Sequence, residues 1–365
     1  MLKKLMLLLG SMAAVALVGA IIIIIANQKP TEVVTTENKP FKVVTSFYPV
    51  YLIGINIANG AEGIEVKSLT DMNTGCLHDY QLTTEDMKSI TDADVLIING
   101  GGMESFLDDI KANYPNLTII DASQGIQMLP YDTSNTGAAL NLDILKNNKE
   151  QILSKYNAHV WLNPTLYIKQ IENVRDGIIS YINSLDNQNN TYTTTLTQKL
   201  ETNAQDYINS VQQIEDLYEK EGQAIAGKST SQEGQTITGN STSQEGQTIA
   251  EKSMSQKGAQ AVIFHDSFAY IADKLGIKVA FTVPLDSDTA LSAGDIAVII
   301  DEVKKEQIKY LFTEQQFSDS IAKRIEAETA AKVYVIDSVV TGDGSKDSYI
   351  NAMKKNLKVI SDALQ

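Results

Sequence analysis

The sequence predicts an α/β protein of two similar lobes with parallel sheets, joined by one long rigid helix. Three observations carry that expectation. Short apolar runs alternate with segments of helical period between residues 41 and 120. The same alternation resumes after residue 259, and between the two lies a stretch, 192–220, with no glycine or proline. Strands that alternate with helices build parallel sheets covered on both faces.

The first lobe opens with 41–46 (FKVVTS) as an entering strand. Residues 48–59 have helical spacing and stop at Gly60. A strand is expected at 64–69, a helix at 82–90 with Thr83 or Thr84 as its cap, and a buried strand at 94–99 (DVLIIN). A helix at 103–112, a strand at 117–120 and a helix at 164–182 complete it. The stretch 192–220 carries a thin apolar stripe of Leu196, Leu200, Ala204, Ile208, Val211, Ile214 and Leu217. As a helix of about 29 residues it would be roughly 43 Å long, more than one small lobe needs, so it reads as a strut between two lobes. The second lobe is expected to place strands at 261–264, 279–281, 310–312 and 333–336, and helices at 268–275, 293–306, 319–330 and 347–364.

Two segments fall outside this pattern. Lys3 and Lys4 precede an apolar run, 5–26, that includes five consecutive isoleucines. A run of about 22 residues is long enough to cross a bilayer, and the lysines put its leading end in the cytoplasm. It reads as an uncleaved anchor rather than a secretory signal, whose apolar core is shorter. The second segment is a repeat of period 12: EGQAIAGKSTSQ from Glu221, EGQTITGNSTSQ from Glu233 and EGQTIAEKSMSQ from Glu245. It has too little apolar content for a core and reads as a surface insert. The expected organisation is an anchor and tether at 1–40, a first lobe at 41–190, a linking helix at 191–220, the insert at 221–258 and a second lobe at 259–365.

Composition narrows the function. Thirty Lys+Arg stand against 45 Asp+Glu, a formal net charge of −15 over 365 residues. Such a surface repels phosphates and attracts cations, which argues against nucleic-acid binding. The single cysteine, Cys76, excludes an intrachain disulfide and a cysteine-built zinc cluster. There are only three histidines. His78 lies in a loop that follows a strand, His159 just before a helix in AHVWLNP, and His265 at the carboxyl end of a strand in VIFHDSF. Ligands in open α/β sheets bind outside the carboxyl ends of strands, so the three could converge in one interlobe cleft. A carboxylate would complete a metal site. Asp337 and Glu314 both sit at strand ends and compete for that place, and Cys76, two residues from His78, lies within reach. Three imidazoles and one carboxylate suit tetrahedral Zn²⁺, while Mn²⁺ prefers more oxygen. The helix motif HExxH of common zinc proteases does not occur. The glycines at 100–102 lack the third glycine of a dinucleotide loop and read as a tight turn.

At these residues the sequence resembles the metal-binding solute-binding proteins of bacterial zinc and manganese ABC importers. The likeness lies in 41–49 (FKVVTSFYP), 75–82, HVWLNP at 159–164, FHDSFAYIADKLG at 264–276 and 335–340. The resemblance implies two α/β lobes bridged by a helix, a metal between them, and His78, His159, His265 and Asp337 as its four ligands. It also implies an extracytoplasmic receptor, no enzyme, that hands Zn²⁺ to an ABC permease and its ATPase. A monomer held to the cell membrane by the N-terminal segment is expected. Mn²⁺ is the alternative cargo; manganese members often carry a carboxylate where His265 stands. The His-rich loop of many zinc members is missing, since 128–157 contains no histidine. A zinc hydrolase and a surface adhesin that binds through the repeats are the rival readings.

Overall fold

A computed structural model describes residues 40–130, 155–185, 191–232, 259–283, 291–314 and 320–365. The expected anchor, the tether and the second and third repeat copies lie outside the described residues. Among the described residues no helix is long and apolar enough to cross a membrane.

The first lobe runs β1 (Phe41–Thr45), α1 (Tyr48–Ile57), β2 (Ile64–Ser68), α2 (Thr84–Thr91), β3 (Val95–Ile98), α3 (Leu107–Asn113) and β4 (Thr118–Asp121). Its four strands are all parallel, in the order β2-β1-β3-β4. Two long helices follow, α4 (Pro164–Leu185) and α5 (Thr191–Gln232). The second lobe holds β5 (Gln260–Ile263), α6 (Ala269–Leu275), β6 (Lys278–Thr282), α7 (Ala293–Lys305), β7 (Tyr310–Glu314), α8 (Ser320–Glu328), β8 (Lys332–Ile336) and α9 (Ser348–Leu364). Its order, β6-β5-β7-β8, is the same and also parallel. Two α/β lobes bridged by a long helix are what the alternation in the sequence called for.

Three details differ from the sequence reading. The bridging helix does not stop near Lys220 but runs on to Gln232, 42 residues in all. The first repeat copy therefore continues the helix; its Ala224, Ile225 and Ala226 are acceptable helix residues, and Ile225 is buried. The stripe on α5 is buried as expected at Leu196, Leu200, Ala204, Val211 and Ile214, but not at its last position. Leu217 is 43% exposed, while Tyr207 and Tyr218 are buried. Tyr218 reaches the core because its hydroxyl finds the carbonyl of Met353 at 3.0 Å. Finally, α3 begins at Leu107 rather than 103, because the Glu104 carboxylate turns back onto the preceding loop. It accepts from the N–H groups of Asn99 (2.7 Å) and Gly100 (3.1 Å) and from the Ser46 hydroxyl (2.7 Å). The turn has positive φ at all three glycines, 82° at Gly100, 66° at Gly101 and 89° at Gly102. A Cβ on Gly100 would also lie 2.0 Å from the Asp121 carboxylate.

One large apolar core joins the first sheet, α1, α4, α5, α6 and α9 to one face of the second sheet. A separate cluster, including Val262, Phe264, Phe281, Ile299 and Leu311, covers the other face. Along β5, Ala261 and Ile263 enter the first core and Val262 the second, which is the two-residue period of a strand buried on both sides. The inner face of the second lobe is thus packed into the same core as the first lobe and the bridging helix. That packing holds the carboxyl ends of the two sheets near each other.

Candidate metal centre

Each histidine is held by a local device written into its own segment. His78 lies in the loop between β2 and α2. Leu77 beside it is fully buried, and the Ser105 hydroxyl donates to the Leu77 carbonyl at 3.3 Å. Downstream, Thr83 and Asp86 form a capping box that starts α2, and the Tyr80 hydroxyl donates to the same Asp86 carboxylate at 2.8 Å. His159 opens a single 3-10 turn, Val160–Leu162, that leads into α4. Asn163 caps α4, its side-chain oxygen accepting from the Thr165 N–H at 3.0 Å, and Pro164 occupies the first helical position. Trp161 is fully buried and donates from its indole to the Ser338 carbonyl of the second lobe at 2.8 Å. His265 follows β5 and precedes the 3-10 turn Asp266–Phe268.

The three imidazoles meet. The Nε2 atoms of His78 and His159 are 3.4 Å apart. The rings of His159 and His265 approach edge to face, with centroids 4.8 Å apart. Cys76 joins them: one donor atom each from Cys76, His159 and His265 lie within 4.8 Å of one another. The Cys76 Sγ is 3.5 Å from His159 Nε2.

Hydrogen bonds orient the rings. Asn157 donates its Nδ2 to the Asp266 carbonyl at 2.8 Å, so its Oδ1 faces His159. That oxygen accepts from the His159 backbone N–H (3.0 Å) and lies 2.9 Å from Nδ1. Nδ1 therefore carries the proton and Nε2 presents a lone pair. On the other side, Glu314 ends β7 with its Oε1 2.7 Å from His265 Nδ1. The hydroxyls of Ser267 (2.8 Å) and Ser338 (2.9 Å) donate to the same carboxylate. An acceptor behind the His159 and His265 rings is the arrangement that fixes a tautomer and strengthens a metal-binding nitrogen.

The electrostatics agree with neutral donors and a charged support. Burial, and then the neighbouring His265 and His78, hold the His159 imidazole well below its ordinary range. It is neutral at neutral pH, as a ligand must be. Burial pushes Glu314 up, but His265 and the two serine hydroxyls outweigh it and leave the carboxyl below its usual range.

The fourth residue of the expected ligand set lies at the carboxyl end of the second sheet. Asp337 follows β8, and its Oδ1 accepts from the Val339 N–H at 2.8 Å. It lines a hollow with Tyr48, Asp343 and Lys355. Burial raises its pKa, Glu314 adds to the rise, and Lys355 and the Val339 N–H oppose it. Sequence reasoning did not single out Asn157 or Asp266. Asp266 puts an oxygen 3.4 Å from His265 Nε2 and 3.6 Å from His159 Nδ1. The adjacency of Asn157 to His159 was the one local signal for its role.

Two parallel lobes, one bridging helix and imidazoles gathered where the strand ends face each other make a bilobed α/β protein with a candidate metal centre. The chain belongs to the ZnuA family: the model of that family, zinc-uptake complex component A, periplasmic, matches residues 43–231 and 240–363. It is similar to the zinc-binding lipoprotein AdcA of Streptococcus pneumoniae strain R6, with 25% identity over 98% of this chain and 60% of that protein. The chain thus spans about 60% of the length of this relative. The high-affinity zinc uptake system protein ZnuA of Bacillus subtilis is 22% identical over 88% of this chain and 87% of its own. Among solved structures, the Zn(II)-bound ZnuA-like domain of S. pneumoniae AdcA superposes with a TM-score of 0.61. It is 23% identical and covers 89% of this chain and 98% of that domain, a likeness of fold.

Proposed function

We propose that this chain is an extracytoplasmic receptor that captures Zn²⁺ and delivers it to the permease and ATPase of an ABC importer. His78, His159 and His265 are the nitrogen donors, and Asp337 supplies negative charge beside them. The protein catalyses no reaction; its chemistry is binding and release. It acts as a monomer held at the membrane by the apolar segment 5–26. The observation that carries the reading is the meeting of all three histidines of the chain at one point between the lobes, with buried His159 held neutral. The zinc-binding relatives support the choice of metal. Nitrogen donors favour Zn²⁺ over Mn²⁺, which takes oxygen ligands.

Metal analysis of the full chain purified without added metal should find zinc at one equivalent. In competition, Zn²⁺ should displace Mn²⁺. An ion that binds only the folded state adds about 4 kcal/mol at a thousandfold excess over its dissociation constant, so zinc should raise the melting temperature markedly. A chain that binds neither ion, or binds it equally well after all three histidines are changed to alanine, would overturn the reading.

A further inference from the structure

We propose that the Cys76 thiolate is the fourth zinc ligand, so that the ion is closed by one sulfur and three nitrogens while Asp337 stays on the Val339 N–H. This deepens the receptor reading and rests on it. The argument is first geometric. Two imidazole nitrogens bound to tetrahedral zinc at about 2.0–2.1 Å lie about 3.3 Å apart, and such a nitrogen lies about 3.6 Å from a thiolate bound at about 2.3 Å. The structure has 3.4 Å between His78 Nε2 and His159 Nε2, and 3.5 Å between Cys76 Sγ and His159 Nε2. Both spacings are those of neighbouring corners of one zinc tetrahedron.

The second argument concerns the lone pair on His159. Asn157 fixes the proton on Nδ1, so Nε2 is an acceptor. Both the thiol and His78 Nε2 close on that single lone pair, and only one of them can give it a hydrogen. A cation at their centre satisfies all three at once. His265 completes the set: Glu314 lies 2.7 Å from its Nδ1, and His265 shares with Cys76 and His159 the group of donor atoms within 4.8 Å of one another. The Asp337 carboxylate, by contrast, already accepts from the Val339 N–H.

The consequence is selectivity. A thiolate suits zinc and other soft ions, whereas Mn²⁺ seeks carboxylate and water oxygen. On binding, the thiol loses its proton to solvent and a Zn–S bond forms.

Cobalt tests the proposal, because Co²⁺ takes the zinc geometry and reports its ligands by colour. The full chain, kept anaerobic, would be loaded with Co²⁺ alone. The expected spectrum has the visible bands of four-coordinate cobalt and a near-ultraviolet sulfur-to-cobalt charge-transfer band. Cys76→Ala and Cys76→Ser should lose the charge-transfer band, keep visible bands, and bind zinc more weakly by about tenfold to a hundredfold or more. Asp337→Ala should keep the charge-transfer band. Cys76→Asp should narrow the preference for Zn²⁺ over Mn²⁺. Four-coordinate visible bands without the charge-transfer band, unchanged in Cys76→Ala, would overturn the sulfur ligand and leave the receptor reading standing. No cobalt or zinc binding by the unaltered chain would remove the receptor reading itself, and the sulfur ligand with it.

Discussion

The two lobes share one strand order and use the same place in it differently. In each sheet the order reverses between the first and third strands, which is where open α/β sheets bind ligands. In the second lobe that point carries His265 after β5 and Glu314 at the end of β7, and the two pair. In the first lobe the equivalent point is sealed. Ser46, after β1, bonds Glu104, whose carboxylate is also held by the loop after β3. Each lobe thus buries a serine–glutamate pair at its switch point, but the partners decide what the pair does. Glu314 faces an imidazole and is drawn below its usual pKa, while Glu104 faces backbone amides and burial pushes it up to about 7. The first lobe instead supplies its donors from longer segments, the loop after β2 and the turn that enters α4. A repeated architecture offers two positions for a ligand, and here one of them became structural.

The sharpest break of this comparison is to remove a donor from each lobe in turn. His159→Ala and His265→Ala should each weaken zinc binding by about a thousandfold or more, read by competition with a chelator, since one bond in four is a large share of a site worth over ten kcal/mol. Thermal stabilisation by zinc should disappear in both. Wild-type affinity in either variant would mean that the centre does not span the lobes.

The sealed switch point should fail differently. Glu104→Ala leaves the Ser46 hydroxyl and the N–H groups of Asn99 and Gly100 unpaired in the core, at a cost of about 3 kcal/mol or more in chemical denaturation. Zinc affinity, measured where the variant is folded, should change little. The pair also sets a pH dependence. The folded pKa of Glu104, about 7, lies above its ordinary 4.5, so the folded state holds the extra proton between those values. Stability from this group is full below about pH 4.5 and falls as pH rises to about 7, by roughly 3 kcal/mol. Glu104→Gln should flatten that part of the profile. An unaltered slope would show that the carboxylate is ionised throughout.

The working switch point should show a smaller effect, confined to binding. Glu314→Gln keeps the shape but removes the charge behind His265, and should weaken zinc by about tenfold to a hundredfold. Loss of stability without loss of affinity would make Glu314 a second plug like Glu104.

Much of this was legible in the sequence, and the reasons are local. Alternating apolar runs announced both sheets, Thr83 announced its helix, and His78 in a loop after a strand, His159 before a helix and His265 at a strand end announced a meeting point. What escaped was non-local. The late start of α3 depends on Glu104 reaching back to Ser46, 58 residues earlier. The burial of Tyr218 rather than Leu217 on α5 depends on a carbonyl offered to it by α9. The approach of Cys76 to His159 joins segments 83 residues apart. No period or spacing encodes such contacts. The first repeat copy escaped for another reason: its low-complexity composition hid three acceptable helix residues.

The finest test uses a feature that both lobes repeat. The helix between the second and third strands begins with a capping box in each: Thr83 with Asp86 on α2, and Ser292 with Asp295 on α7. Each cap satisfies an N–H that the helix cannot, so Thr83→Ala and Ser292→Ala should each cost about 1 kcal/mol. The lobes should then part company in binding. Asp86 also accepts from Tyr80, two residues beyond His78, so loosening this cap frees the loop that positions Cys76 and His78. Thr83→Ala should weaken zinc by a few-fold, short of the roughly tenfold expected from a lost support of a ligand. Ser292→Ala should leave zinc affinity at the wild-type value. Equal losses of affinity in the two variants would show that binding tracks overall stability. A loss in Thr83→Ala alone would tie it to the loop of the first lobe.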